Sequence, residues 1–354
     1  MQNNGAGYRL RRHFSDPQVF NLLVVLIAGV LIFSFLGQIL APVFASLVIS
    51  YLLSGLISFL ESLRVRRWIA VTIVFIGFLA LFSLLLLGLF PLVWVQVAQF
   101  LQRLPDIIVW SQNALMKLPQ HFPELISEKQ LAELMGGLGY EITSIGQRIL
   151  SYSVASVRST LWFFAYVFLI PIMVYSFLID EQEIMTWVSG FLPKERTILN
   201  EVWRELDQQM GRFIRGKFLE IVILWAVTYA ILAVLGLEFL MLTAFLTGLS
   251  VLVPYVGATV MTLLVASIAY FQWGWGTNFV VTLTTYVIIH LLHGYVLVPL
   301  MFSEVVNLHP VAIIVSMLIA GDLWGFWGLF FSIPLTTLAN AIVKSWSRYY
   351  RQQC

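Results

Sequence analysis

The chain has 354 residues, 60% hydrophobic and only 11% charged, with a mean hydropathy of +0.90. A soluble domain carries about 25% charged residues, so this composition belongs to a polytopic membrane protein. A formal net charge of +2 excludes the broad basic field of a nucleic-acid binder, and the one cysteine, Cys354, cannot form an internal disulfide.

Val19 to Leu36 and Leu40 to Leu60 are each long enough to cross, because about 20 apolar residues span a hydrocarbon core of about 30 Å. Arg9, Arg11 and Arg12 precede the first run, and Arg64, Arg66 and Arg67 follow the second. The positive-inside rule puts these flanks and the N-terminus in the cytoplasm. No cleavage pattern marks a signal peptide, so the first run is read as a retained span. Trp68 to Phe90 then crosses outward. Residues 91–160 are mixed in character. Prolines at 105, 119 and 123 and the cluster Gly136, Gly137, Gly139 are expected to cut them into short extracytoplasmic helices. In the first of these, Val93, Val97, Phe100, Leu101 and Leu104 recur at helical spacing and predict an amphipathic piece lying on the membrane or its neighbours. Leu161 to Ile179 returns inward to the one long cytoplasmic polar segment, Asp180 to Lys217. There Leu199, Val202, Trp203, Leu206, Met210, Phe213 and Ile214 keep a period near 3.6, predicting an amphipathic helix opened by Pro193 that runs into the next span.

From Phe218 to Val343 there is no Lys or Arg, and the only acids are Glu220, Glu238, Glu304 and Asp322. Full spans are predicted at Phe218 to Leu235 and Phe279 to Met301, and Lys344, Arg348 and Arg351 hold the C-terminus inside. Two other apolar stretches are broken. Residues 239–271 are interrupted at Pro254 and Gly257; residues 309–343 are interrupted at Gly321, Asp322, Gly325 and Gly328, with Pro334 beyond. A straight helix over the first would be about 50 Å long, while each half falls short of crossing, which favours re-entrant hairpins. Paired Gly/Pro-broken segments point to a transporter's binding site. The expected fold is therefore all-α, with about six full spans, two broken helical hairpins, and amphipathic extracytoplasmic and cytoplasmic helices. Its parts are a three-span scaffold (1–90), the extracytoplasmic region (91–160), a fourth span with its cytoplasmic helix (161–217), a transport domain (218–343) and a tail (344–354).

Several side chains in this last third admit more than one reading. His290 and His293 share a helical face and suit a proton relay or hydrogen-bonded packing; without a third clustered ligand they do not make a metal site. Asp322 could bind a cation or a polyol hydroxyl, or cap a helix starting at Leu323. Glu220, near Lys217 and Arg215, reads as an interfacial ion pair. Gly257 and Gly328 also suit simple close packing. No HExxH, GxSxG, P-loop or GxGxxG pattern stands in a suitable context, so the chain is read as a non-enzyme with no cofactor.

The strings VLVPYVG, YVLVPLMFSEVVNLHP and GDLWGFWGLFFSIPLTTL, with IRGKFLEI at Ile214 to Ile221, closely resemble the autoinducer-2 exporter family in its PerM-like permease branch. The resemblance points to Pro254, Tyr255 and Gly257 at the first hairpin, to Pro299, His309 and Pro310 before the second, and to Gly321, Gly325, Gly328 and Pro334 within it. The chain departs from the family pattern at His293, where an acid often precedes the glycine, and at Asp322, where neutral residues are common. The resemblance implies a homo-oligomer, a pentamer, whose protomers each work by an elevator movement of two hairpins. It also implies export of autoinducer-2 or sodium/proton antiport. The expectation is a bacterial inner-membrane secondary transporter, embedded in lipid, that exports a small polar solute with or without a coupling sodium or proton. Its alternatives are a cation/proton antiporter and a non-transporting membrane scaffold that recruits partners through residues 180–217.

Overall fold

The structure, a computed structural model, describes residues 39–115, 157–191, 197–253, 256–302 and 310–353, together with positions 24, 29, 31 and 35. The expected first span, with Arg9, Arg11 and Arg12 before it, lies outside the described residues as a continuous element. So do Pro119, Pro123, the Gly136–Gly139 cluster and Pro193.

The described residues are helical, with no strand among them. In chain order they form α1 (Ala41–Ser62), α2 (Arg67–Leu84), a π-helical turn (Leu85–Leu89), α3 (Phe90–Leu115), α4 (Val157–Ile179) and α5 (Glu181–Gly190). There follow α6 (Thr197–Leu235), α7 (Leu240–Ser250), α8 (Val256–Trp273), α9 (Thr277–Leu292), a second π-helical turn (His293–Leu297), α10 (Val298–Phe302) and α11 (Pro310–Gln353). Among the described residues six helical stretches are long and apolar enough to cross a membrane by length and composition alone, one of them, Val311–Ala339, broken at Gly325, and α4 with α5 makes a seventh, bent by 85°. The chain is an all-α polytopic membrane protein.

Helices α1, α2 and α4 form a bundle around Leu53, Ile57, Ala70, Val71, Val74, Val174 and Leu178. Arg67, at the start of α2, ties the bundle to the α4–α5 bend through the Glu181 carboxylate and the Leu178 carbonyl. Pro42 sits in the first turn of α1, where its missing N–H removes no helical bond.

Pro105, expected to end a helix, does not, and neither does Pro91. The helix runs on past Pro91, making Arg67–Arg103 one apolar stretch of 37 residues, and Pro105 lies inside α3. Each π-helical turn is followed two residues later by a proline, Pro91 after Leu89 and Pro299 after Leu297. A proline has no N–H, and its ring crowds the carbonyl four residues before it. Widening that turn by one residue relieves the crowding without breaking the rod. Carried on in this way, α3 reaches α7. Gln96 Oε1 accepts from the Leu242 N–H at 2.9 Å, Phe100 packs edge-on against Phe239, and Arg103 pairs with Glu238.

Helix α6, 39 residues and about 58 Å long, packs against α1, α7, α9, α10 and α11. It joins the predicted amphipathic helix to the predicted span without interruption. With α8 and α9 it encloses a second core of Leu232, Leu237, Met261, Val265, Ile268, Ala269, Phe279 and Tyr286. Its approach to α7 is close at Gly248, where an added Cβ would lie 2.9 Å from both the Ile221 carbonyl oxygen and Trp225 Cβ. Gly248→Val should part these helices at a cost of about 1–3 kcal/mol. The check is a lowered melting temperature of the detergent-solubilised chain, beside Gly77→Ala, which meets nothing within 4 Å and should not lower it.

Candidate functional site

The first broken stretch folds back on itself. At its open end Gln272, near the end of α8, accepts from the Glu238 N–H at 2.8 Å and donates to the Gly236 carbonyl at 2.9 Å, which joins the start of the stretch to its finish. At its closed end α7 and α8 meet backbone to backbone. A Cβ on Gly257 would lie 1.9 Å from the Ser250 carbonyl oxygen, so only glycine fits. Pro254 and Tyr255, between the arms, lie outside the described residues.

The second stretch turns at Gly325, whose φ of 58° and ψ of −134° break the helical path of α11. A positive φ is cheap only for glycine. Ser316 Oγ donates to the Ser332 carbonyl at 3.0 Å, although sixteen residues of straight helix would hold these positions about 24 Å apart. Each arm of the apolar stretch Val311–Ala339 is thus about 21 Å long, short of a hydrocarbon core of about 30 Å. Glycines again line the contact. A Cβ on Gly328 would lie 1.8 Å from the Ala320 carbonyl oxygen, and one on Gly321 would lie 2.8 Å from Leu329 Cδ2. Pro334, buried in the second arm, faces Leu206, Met210 and Phe213 of α6.

Asp322 stands three residues before the turn, exposed and inside the first arm, so it does not cap a helix starting at Leu323. Because it is exposed, Asp322→Asn should change stability by no more than about 0.5 kcal/mol, read as a melting temperature close to that of the unaltered chain. Any loss of flux in that variant then reports on solute or ion handling.

The third feature is a buried polar cluster where α6, α7 and α9 meet. Glu220 is 1% exposed. Its Oε2 lies 2.9 Å from Lys217 Nζ, and its Oε1 lies 2.7 Å from His293 Nε2. Lys217 Nζ also donates to the carbonyl of Val251, the residue that ends α7, at 3.0 Å. An ionised carboxylate only accepts, so His293 Nε2 carries the hydrogen. The pairing of Glu220 with Lys217 matches its spacing. The pair is buried within the protein, and Arg215 lies elsewhere, against Gly55 and Gly211.

His290 is close to this cluster but not bonded into it. Its ring is 6.4 Å from that of His293 and 4.8 Å from that of Tyr286, and its Nε2 is buried without a hydrogen-bond partner among the described residues. The Thr247 hydroxyl donates to the Thr243 carbonyl at 2.7 Å, so Tyr286 donates to Thr247 across 2.8 Å. Pro299 is exposed just beyond the second π-helical turn, His309 lies outside the described residues, and Pro310 begins α11. Among the described residues no three His, Cys, Asp or Glu side chains are grouped to hold a metal ion.

The structure therefore brings Gly257 to Ser250 and Gly328 to Ala320, and it joins His293 to Glu220 and Lys217. It leaves Asp322 apart from that cluster. Sequence reasoning missed the link from Lys217 to the first hairpin; the available signal was that Lys217 is the last basic residue before a long run without any.

A family model described as AI-2E family transporter matches residues 21–348. The chain is similar to PerM of Escherichia coli (strain K12), named as a permease, with 37% identity over 339 residues, 95% of each chain. It is similar to YrrI of Bacillus subtilis (strain 168), named as a transport protein, with 22% identity over 317 residues, 86% of each chain. YueF of the same organism, likewise named as a transport protein, is 20% identical over 342 residues, 93% of this chain and 92% of that one.

Proposed function

The chain belongs to the AI-2E transporter family, and we propose that it is a bacterial inner-membrane secondary transporter that exports a small polar molecule of the autoinducer-2 kind. Both chain ends face the cytoplasm in this reading. The observation that carries it is the pair of hairpins, each closed by a glycine pressed against a carbonyl of the opposite arm. Where such arms turn, backbone N–H and C=O groups leave the helical ladder, and within lipid they need protein, water or a polar ligand. A polyhydroxylated solute offers matching donors and acceptors, and Gly321, Asp322 and Gly325 stand at or beside the second turn to receive it. Movement of the hairpin-bearing half against the α1–α4 bundle would then alternate access in the elevator manner. The family resemblance supports a homo-oligomer, a pentamer of independently working protomers.

The test is efflux of autoinducer-2 from proteoliposomes of the purified chain. Efflux above that of protein-free liposomes, lost in Gly328→Val, is the expected result. Equal efflux from both overturns the substrate. A second reading, cation/proton antiport, is favoured by the buried Lys217–Glu220–His293 cluster. A sodium gradient that drives no proton movement in the same vesicles removes it.

A further inference from the structure

Helix α4 has 23 residues and is about 35 Å long, so it crosses a hydrocarbon core of about 30 Å unaided. The chain then turns by 85° into α5, which lays α5 close to the plane of the membrane. Asp180, Glu181, Gln182 and Glu183 stand at the turn. Such a string is costly inside lipid, so α5 does not complete a broken span. Its level is marked by the first two residues of α2. Arg67 reaches across to the Glu181 carboxylate and the Leu178 carbonyl, and Trp68 beside it is 59% exposed. Tryptophan at the end of a span is characteristic of the membrane–water interface.

Ile184, Trp187, Val188 and Phe191 follow at i, i+3, i+4 and i+7, and fill an arc of about 100° on one side of α5 and its C-cap. Gln182 and Thr186 stand on the opposite side. Trp187 is 68% exposed and Phe191 73%, with their rings edge-on 4.9 Å apart. A helix of ten residues is too short to hold in water by itself, and this one leaves its apolar face bare. Glu181 flanks that face one turn before Ile184, and its pairing with Arg67 turns the flank toward the lipid-embedded bundle.

We propose that α5 is a lipid-surface helix: Ile184, Trp187, Val188 and Phe191 sink into the headgroup and acyl boundary of the leaflet where α4 ends, and pin the α1, α2 and α4 bundle at that depth. Lipid is the occupant the location supplies. The stripe begins where a span stops, and the exposed Phe168, Ile172 and Tyr175 of α4 carry a lipid-facing surface up to it. Charge separates this helix from those drawn to anionic membranes. Residues 180–191 hold three acids and no Lys or Arg, the next basic residues being Lys194 and Arg196. Immersion therefore rests on burial of apolar side chains rather than on attraction to anionic headgroups. The proposal stands apart from the transport reading and holds whatever the solute.

The experiment uses the full chain with Cys354→Ser in liposomes of phosphatidylcholine alone. Val188→Cys, Phe191→Cys, Gln182→Cys and Thr186→Cys are made one at a time and carry a nitroxide spin label. All four positions are exposed, which keeps the changes out of the core. Electron paramagnetic resonance compares collisions with oxygen, which concentrates in lipid, against those with a water-soluble nickel chelate. The labels at 188 and 191 should favour oxygen, at a depth of about 5–10 Å, and those at 182 and 186 the chelate. Trp187→Gln together with Phe191→Gln should return the label at 188 to the chelate. Labels at 188 and 191 that meet the chelate as freely as those at 182 and 186 overturn the proposal, since the stripe then stands in water. Shielding from both reagents also overturns it and assigns the stripe to a protein, whether a partner or a second copy. Immersion that requires added phosphatidylglycerol overturns its apolar basis.

Discussion

Gly257→Ala and Gly328→Ala should each abolish transport and lower the melting temperature of the purified chain. The smallest side chain at either position would place a carbon 1.9 Å or 1.8 Å from a carbonyl oxygen of the facing arm. Neither partner is a flexible side-chain end; Ser250 and Ala320 present backbone atoms held in helices. Interiors are packed too closely to absorb such an overlap. Overpacking of this kind costs about 1–3 kcal/mol when side chains can give way, and here the arms themselves must part, so the upper end of that range applies. Gly294→Ala is the matched control, since nothing lies within 4 Å of a Cβ there. Thermal melts and proteoliposome efflux on the three variants make the comparison. Wild-type values for both hairpin variants would mean that the arms do not meet.

Removing one charge of the buried pair should hurt more than removing both. Glu220→Ala leaves the Lys217 ammonium without its carboxylate, and Lys217→Met leaves the carboxylate with only His293. Breaking a buried pair from one side costs about 3–5 kcal/mol, whereas replacing both partners by apolar groups of similar volume is often neutral. Lys217→Met together with Glu220→Met should therefore recover most of the stability that either single change loses. Unfolding measurements on the four chains form a double-mutant cycle. Single effects that simply add in the double variant would show the two groups to be energetically independent.

Hydropathy alone located the rods. Leu40 to Leu60, Leu161 to Ile179 and Phe218 to Leu235 fall within α1, α4 and α6 to within a residue or so at most shared ends, because an uninterrupted apolar run has few ways to satisfy its backbone in lipid. Continuity across Pro91 and Pro105 was not legible. Proline reads locally as a stop, and the π-helical turn at Leu85–Leu89 that accommodates Pro91 leaves no hydrophobic signature of its own. Each such turn also shifts the helical phase by one residue, so the faces before Leu85 and after Leu89 cannot be read on one wheel.

The site was legible in part. Glycine spacing marked where two apolar stretches break, and the fold-back at Gly325 and Gly257 lies at those marks. The partners of those glycines could not be read, since Ser250 and Ala320 take part through carbonyls that every residue has. Glu220 drew attention as an acid in an apolar run, and its i,i+3 neighbour Lys217 was apparent. His293 is 73 residues further on, and nothing in the spacing of the chain joins the two. Only packing of α9 against α6 does so.

Helix α6 contains no proline along its 39 residues and is gripped near its polar half by the hydrogen bond from Tyr51 to Asp207. That grip sits about 20 Å along the axis from Glu220. With Tyr51 as fulcrum, a tilt of the lipid-embedded half swings the opposite end the other way, like a seesaw plank. A dye attached at Glu201 would report any such tilt of the apolar half from the other end of the rod.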